Sequence, residues 1–448
     1  MAENIYLTVR LFLYYSQIFG LSPVILRRRG GKNHFQPFWL GILYNIMLSA
    51  LLAFSFQFSY GNIEMFADND SEIMFMHTVC KLVLGPICVG IIFISSILSS
   101  RNLCNVINKL SEYDQVFQKH IAVMRYKWIK WIFLCCFLIS LGVCSAYFYN
   151  EDVVLRKVSE RQLSIYEFIS FFVSWCLFDI ISWTLILVVF SFLYLVYKKF
   201  YQINEKLVTI LSDYDKTIPD SPGMDREFKV KDRLFHSPSS IFHIEGSARS
   251  RISTPGHNFS NQFKDERKFA VKKVAQIRHL HILLVNISEN LNSIFATRIM
   301  AIVSLNVILL CFSSFLLILM LVLGRRDSVL MTAVIWVCVR FFPTCVLIFP
   351  FCLVMNEAER TSILIHESLS RTEEVAMREE LRIFSMQLTN RKLVFTSHGF
   401  FNLDGRTVVA TVGAAFAYLV VLLQFHMTLS NLKKNSASND TTQPKDSM

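Results

Sequence analysis

The stretch TVVATVGAAFAYLVVLLQFHMT, Thr407 to Thr428, is an apolar run without Asp, Glu, Lys or Arg. As an α-helix it is long enough to cross the ~30 Å hydrocarbon core of a bilayer, which takes about 20 residues. One amide, Gln424, stands near its end. A polar side chain at that depth either bonds to a neighbouring helix or lines a polar path through the membrane.

Composition extends the membrane assignment to the whole chain. Of the 448 residues, 53% are hydrophobic and only 18% are charged, whereas about a quarter are charged in a soluble domain. Seven segments qualify as membrane spans by length and apolarity: residues 38–58, 78–98, 131–149, 166–197, 296–323, 328–355 and 407–428. The sequence therefore predicts an all-α integral membrane protein with seven transmembrane helices.

Basic residues beside the spans predict the orientation, because cytoplasmic flanks carry the excess of Lys and Arg. Five such residues precede the first span: Arg10, Arg27, Arg28, Arg29 and Lys32. The first loop, residues 59–77, contains none, and the second loop is basic again. Only the short turn GRRD, with Arg325 and Arg326, dissents. The N-terminus is predicted to be cytoplasmic and the C-terminus extracellular.

The spans divide the chain into parts with different expected roles. The cytoplasmic N-terminal segment (1–37), with a helix at the membrane interface over residues 5–26, precedes transmembrane helices one to four (38–197). A cytoplasmic loop (198–295) has a disordered Ser-rich part and a helical stalk that leads into helices five and six (296–356). Cytoplasmic anchor helices (357–406), the last transmembrane helix (407–428) and an extracellular tail (429–448) follow.

Motifs exclude several function classes. Neither a Gly-x-Ser-x-Gly or His-Glu-x-x-His string nor a phosphate-binding glycine loop is present, so we expect no enzymatic activity, metal or cofactor. The net charge of +11 is concentrated beside the apolar spans, which indicates a bilayer surface and not a nucleic acid polymer as the partner. The sequons at Asn69 and Asn439 lie on the predicted outside and are candidate glycosylation sites.

The end of the chain resembles the insect gustatory receptors of the insect chemoreceptor superfamily. Their last span carries Thr-Tyr, five apolar residues and Gln-Phe, and here Tyr418, Gln424 and Phe425 match while Ala417 replaces the threonine. The preceding string QLTNRKLVFTSHGFFNLDGRTVVATVGAAF resembles the family's conserved end as well. RISTP, QLTNRKLVFT and GFFNLD are more similar to a divergent subgroup, associated with bitter compounds, ribonucleosides and warmth, than to sugar receptors.

The resemblance implies a tetrameric, ligand-gated, non-selective cation channel in the plasma membrane of sensory neurons, built from identical or related subunits. It implies that the seventh helix of each subunit lines one central pore. The other spans would form a bundle around a pocket that is open to the outside and binds a small tastant. The cytoplasmic helices would hold the subunits together.

Helical spacing places one set of residues in the last span on a common face: Ala417, Val421, Gln424, Phe425 and Thr428. With the resemblance, these residues are candidates for the pore lining and gate. Gln424 would offer dipoles to hydrated cations, and its apolar neighbours would form a constriction that closes by dewetting. From the residues alone, an interhelical hydrogen bond of Gln424 remains the alternative.

Ionisable side chains inside spans are expensive, so each requires a reason. Helical spacing aligns Glu167, Phe171, Trp175 and Asp179 along one stripe of the fourth span, and Thr332, Trp336 and Arg340 along one stripe of the sixth. Together with Lys81 of the second span, the charged and aromatic residues of these stripes, all in predicted outer halves, define a candidate ligand pocket: Lys81, Glu167, Phe171, Trp175, Asp179, Trp336 and Arg340. Aromatic walls with a few polar anchors are the usual make-up of small-molecule sites. A structural alternative stays open, in which Arg340 pairs with Asp179 and the aromatic residues fill the bundle.

Two kinds of alternative function stay open, one within the same family and one of another class. Within the same family, a sugar-gated or warmth-activated channel is the alternative to one gated by bitter compounds or nucleosides. A metabotropic seven-helix receptor is the alternative of another class. It requires an external N-terminus, and the Asp-Arg-Tyr and Asn-Pro-x-x-Tyr signatures of such receptors are missing from the sequence.

Overall fold

The computed structural model describes residues 5–29, 32–61, 72–120, 165–216, 258–322, 324 and 328–440, with isolated helical residues between 131 and 145. The helices in these ranges are α1 Ile5–Ile18, α2 Trp39–Gly61, α3 Glu72–Leu98, α4 Ser100–His120, α5 Ile165–Lys216, α6 Asn258–Val322, α7 Ser328–Arg371, α8 Val375–Asn390 and α9 Gly405–Asp440. Two short antiparallel hairpins accompany them, β1 Val24–Arg29 with β2 Lys32–Pro37, and β3 Thr396–Ser397 with β4 Phe401–Asn402.

Six helices in the described ranges are long and apolar enough to cross a membrane: α2, α3, α5, α6, α7 and α9. They coincide with six of the seven predicted spans. The remaining one, 131–149, falls mostly outside the described residues. At ~1.5 Å per residue, the 52 residues of α5 and the 65 residues of α6 extend over about 78 and 98 Å. Each therefore continues well past a ~30 Å hydrocarbon core.

The centre of the fold is the bundle of α5, α6 and α7, which pack against one another along much of their length. Helix α5 is apolar on every side, as expected of a helix that neighbours surround. Its residues Ile181, Phe192 and Val196 are all buried. Helices α2 and α3 cover this bundle from outside, with α2 against α5 and α3 against α6.

Beyond the apolar parts of the helices, α8 joins α6 and α7 in a second bundle. The side of α8 with Met377, Leu381 and Phe384 is buried, which is the packing expected of an amphipathic helix. An ion pair between Arg278 Nε and Glu380 Oε1, 2.6 Å apart, links α6 to α8. The range 357–406, for which anchor helices were predicted, thus contains the end of α7 and α8.

The N-terminal region differs from its prediction. Instead of one helix over residues 5–26, α1 ends at Ile18 and the chain turns into the β1–β2 hairpin. Gly20 has φ +73°, and a Cβ there would collide with the buried side chain of Asn45, so only glycine fits this turn. Pro23 then prevents the helix from resuming, because it lacks a backbone N–H and disfavours helical geometry in the residue before it.

Candidate pore helix and ligand pocket

Helix α9 touches the rest of its own chain along a single stripe. The buried residues Thr411, Ala415 and Leu419 recur at four-residue steps and so share one face. Ala415 packs in a small apolar cluster with Leu310 of α6. Of the most apolar stretch of α9, only 17% of the residues are buried. The remaining surface of the helix is available to lipid, water or other copies of the chain.

Every predicted pore residue lies on that open surface. Ala417, Val421, Gln424, Phe425 and Thr428 are all exposed. The hydroxyl of Thr428 donates to the backbone oxygen of Gln424 at 2.9 Å, so it is engaged with its own helix. Tyr418 of the family motif is exposed as well. The structure therefore brings these residues onto the uncovered part of α9, which includes more surface than the predicted face alone.

The base of α9 is held to α6 by a set of hydrogen bonds that sequence reasoning did not anticipate. Asn292 Nδ2 donates to the Thr396 carbonyl at 3.0 Å, and Ser397 Oγ donates to the Ala296 carbonyl at 3.0 Å. Thr297 Oγ1 and His398 Nε2 are 2.8 Å apart. We call these contacts the α6–β3 clasp. They fix the β3–β4 hairpin, which precedes α9, to residues 292–297 of α6.

The charged residues of the predicted pocket meet at one carboxylate. Asp179 of α5 accepts from Arg340 of α7, with Nη1 2.5 Å from Oδ1 and Nη2 3.3 Å from Oδ2. Lys81 Nζ of α3 is 3.1 Å from Oδ2. All three side chains are nearly fully buried. This Asp179 cluster ties three helices together, and it contains the Arg340–Asp179 pair of the structural alternative.

The aromatic part of the predicted pocket is seen only in part. Thr332 and Trp336 are buried on the same stripe of α7 as Arg340, as their four-residue spacing predicts. Trp336 packs against Leu316 and Met320 of α6. Glu167, Phe171 and Trp175 belong to α5, but their side chains lie outside the described residues. The structure thus unites Lys81, Asp179 and Arg340, with Trp336 one turn away along α7.

Further buried charges were missed, of which Arg298 could have been flagged as an ionisable residue inside a predicted span. Arg298 of α6 is buried and donates to Ser95 and Ser99 near the end of α3 and to the Leu21 carbonyl. Lys199 of α5 pairs with Asp114 of α4. Among the residues with described side chains, no three metal-binding groups come together.

Both predicted glycosylation sites stay predictions. Asn69 lies outside the described residues. Asn439 falls in the last turn of α9, which continues as far as Asp440 instead of ending near residue 428. The side chain of Asn439 is not among those described.

Multi-pass helical topology, a helix open to other copies and a charged cluster between spans are features of membrane receptors, and comparison with known families makes the class definite. The model of the 7tm Chemosensory receptor family matches residues 9–429. The chain belongs to this family. It is therefore a multi-pass membrane receptor of the insect gustatory and olfactory receptor family and not an enzyme.

Two relatives from Drosophila melanogaster align with nearly the whole chain. The protein named gustatory receptor 28a is 24% identical over 98% of this chain and 96% of its own length. The protein named gustatory receptor 28b is 23% identical over 98% of this chain and 89% of its own length. A third, named gustatory receptor 2a, is 43% identical over 53 residues, which are 12% of each chain.

The fold is similar to that of a solved receptor. The insect olfactory receptor OR5 from Machilis hrabei in complex with eugenol superposes with a TM-score of 0.57 over 93% of this chain and 97% of its own. A second structure of the same receptor superposes with the same TM-score of 0.57. At 12–13% identity, this likeness defines the fold and leaves the ligand open.

Proposed function

We propose that the protein is a gustatory receptor that acts as a ligand-gated, non-selective cation channel. The observation that carries the proposal is the open surface of α9, an apolar helix that its own chain covers on one stripe only. Such a surface is stable if copies of the chain surround a shared axis, so that part of α9 meets a neighbour and part lines a water-filled path.

The assembly is proposed to be a tetramer, of identical subunits or mixed with related receptors, in the plasma membrane of sensory neurons. In it, Val421, Gln424 and Phe425 lie along the ion path. The amide of Gln424 faces permeating cations, and the apolar residues beside it close the path by excluding water. With the predicted orientation, this constriction lies near the outer end of α9.

The ligand site is proposed to lie between α3, α5 and α7 around the Asp179 cluster. An apolar cavity with a few convergent polar groups is typical of small-molecule sites, and Asp179, Lys81 and Arg340 supply such groups. Trp336 is 1% exposed, so a ligand reaches its ring only when the helices separate. A tastant with a flat ring and polar edges, such as a bitter alkaloid or a nucleoside, fits this site better than a sugar.

Opening is proposed to follow from this separation. A ligand shifts the channel toward the open state only if it binds that state more tightly than the closed one. Movement of α7 and α6 would reach α9 through the α6–β3 clasp, which holds the hairpin before α9 at Thr396 and Ser397.

Currents from membranes that contain only this protein test the proposal. We expect bitter compounds or nucleosides to evoke a cation current without any G protein, and sugars and a temperature ramp probe the alternatives within the family. Gln424→Ala should change conductance or ion selectivity, whereas Asp179→Asn should change the response to ligand. If no ligand and no warming opens a current in protein shown to be at the cell surface, either alone or together with a related receptor, the proposal is wrong.

A further inference from the structure

The N-terminal segment, α1 with the β1–β2 hairpin, is held by packing and hydrogen bonds directly before the first membrane span, α2. The β1–β2 hairpin is anchored at its root by Val24 and Phe35, which are both buried. Asn108 of α4 bonds to both backbone groups of Phe35, accepting from its N–H at 3.0 Å and donating to its carbonyl at 3.2 Å. A side-chain amide thus takes the place of a third strand beside β2.

Two further bonds fix the hairpin to its neighbours in sequence. Gln17 Nε2 of α1 donates to the Val24 carbonyl. The Phe38 N–H donates to the Pro23 carbonyl at 2.9 Å, which closes the hairpin directly before Trp39 begins α2. The hairpin therefore has a defined position relative to the first membrane span.

The tip of this hairpin carries a concentration of positive charge. The register pairs Arg29 with Lys32, Arg28 with Asn33 and Arg27 with His34. Arg27 is exposed, three residues or roughly 10 Å from the buried root. Between Glu3 and Glu64 the sequence contains no acidic residue, so no carboxylate in that stretch neutralises the basic tip.

Exposed apolar side chains indicate that the N-terminal segment lies at a bilayer surface. On α1, Leu11, Tyr14 and Ile18 are 46%, 40% and 63% exposed, although Val9 and Phe12 on the other side of the helix are buried. The Tyr44 hydroxyl donates to the Ile18 carbonyl at 2.7 Å. It therefore joins this stripe to the exposed side of α2. Trp39, 69% exposed at the start of α2, is a typical residue of the membrane–water boundary.

We propose that the β1–β2 hairpin binds the headgroups of anionic phospholipids in the leaflet that Trp39 faces, and that the exposed Arg27 and the other basic residues of the hairpin sequence, Arg28, Arg29 and Lys32, supply the charge. Clusters of basic residues directly beside a span attract anionic lipids. Basic flanks also orient a membrane protein during insertion, but that role depends on the number of charges and needs no folded support. The two hydrogen bonds from Asn108 to Phe35 fix the strand pair whose sequence carries these charges, and a binding site requires such a fixed support.

Quenching of Trp39 by brominated lipids tests the proposal on the full chain in phosphatidylcholine vesicles containing phosphatidylserine. The part of the quenching that Trp39→Phe removes reports the lipids beside the hairpin. We expect brominated phosphatidylserine to quench this part several-fold more than brominated phosphatidylcholine at equal mole fraction. Neutralising one arginine should remove most of this preference at low salt, because one basic residue near an anionic surface contributes about five-fold to binding. At 1 M salt, where screening acts over ~3 Å, most of the preference should vanish.

The variants separate this site from general charge effects. Arg27→Gln with Arg28→Gln and Arg29→Gln should abolish the preference, and the three Arg→Lys changes should retain it. Lys268→Gln with Lys272→Gln and Lys273→Gln, which removes equal charge from α6, should have no effect. If the triple Gln variant does not fold, Arg27→Gln alone and the salt titration of the unchanged protein decide. Equal quenching by both lipids, or a preference that survives the loss of the hairpin arginines, would overturn the proposal.

Discussion

Helices α5 and α9 are both apolar enough to span a membrane, yet their surroundings are opposite. In the most apolar stretch of α5, 78% of the residues are buried by the chain itself, against 17% in α9. Helix α5 carries the Asp179 carboxylate at the centre of the fold, and α9 touches α6 and α7 along one stripe. Hydropathy alone thus does not distinguish a helix that the chain buries from one whose surface it leaves open.

The difference assigns distinct tasks to the two helices. Changes in α5 should affect the stability of the single chain, because most of its apolar stretch is buried by the chain itself. Changes on the open side of α9 should affect conduction and assembly and leave the folding of one chain nearly intact.

The largest effect is expected from Asp179→Asn. It leaves two buried cations, Lys81 and Arg340, beside a neutral amide, and breaking a buried ion pair in this way typically costs about 3–5 kcal/mol. Thermal unfolding of the purified protein should show the loss. The triple variant Asp179→Leu with Lys81→Met and Arg340→Met should recover much of it, since no buried charge remains. A stable Asp179→Asn protein would mean that the cluster does not hold α5 in place.

A matched pair of phenylalanines compares the two helices directly. Phe192 of α5 is 1% exposed and Phe425 of α9 is 64% exposed. Phe192→Ala should lower the free energy of unfolding by about 3–5 kcal/mol because it opens a cavity. Phe425→Ala should change it by less than ~1 kcal/mol but alter the current. Equal losses of stability in the two variants would contradict the division.

The link between α6 and the end of α3 should contribute less. Arg298→Met removes the hydrogen bonds to Ser95, Ser99 and the Leu21 carbonyl and leaves buried acceptors unpaired, at a cost of about 1–3 kcal/mol. Arg298→Lys keeps the charge and should lose less. Denaturation of both variants side by side measures the difference, and a smaller loss in the Met variant than in the Lys variant would disprove this role.

The smallest effect is expected at His281, which lies between the rings of Phe200 and Phe384, with centroids 5.2 and 5.7 Å away. Within the described residues its Nε2 has no hydrogen-bond partner. His281→Phe removes this unsatisfied polar atom and should leave stability within about 1 kcal/mol of the parent or raise it. A loss above ~2 kcal/mol in thermal unfolding would reveal a partner for the imidazole.

Much of this arrangement could be predicted from the sequence. Long apolar runs and their basic flanks located the helices, and the four-residue spacing of Thr332, Trp336 and Arg340 gave their common buried stripe. The last span and its motif led to the family. These signals are local, and helical periodicity translates them directly into faces.

What the sequence did not show depends on contacts between distant residues. The β1–β2 hairpin depends on Asn108, which is 73 residues from Phe35, and the α6–β3 clasp joins residues about 100 positions apart. The burial of Arg298 could not be predicted, because its hydrogen-bond partners are backbone and hydroxyl groups in distant parts of the chain. No pattern within a short window reports such bonds.

Thiol accessibility in α9 tests whether this helix lines the pore. For this test, the native cysteines must not react with the thiol reagent. Burial raises the pKa of the Cys104 thiol to about 12, so this residue stays protonated and unreactive at neutral pH. Cys135 and Cys338 are exposed and are replaced by serine. A parent protein that conducts normally and ignores the reagent then serves as the reference.

The deciding measurement uses two variants of this parent protein, Val421→Cys and Leu419→Cys. The ligand-evoked current of each variant is recorded during exposure to a charged, water-soluble methanethiosulfonate reagent. Val421 lies on the open side of α9, 59% exposed, and Leu419 on the covered stripe, 6% exposed. We predict that modification of Cys at 421 changes the ligand-evoked current within seconds, while Cys at 419 is unaffected. Modification at 419 and not at 421, or at neither position in the open channel, would contradict the account of α9 as the pore helix.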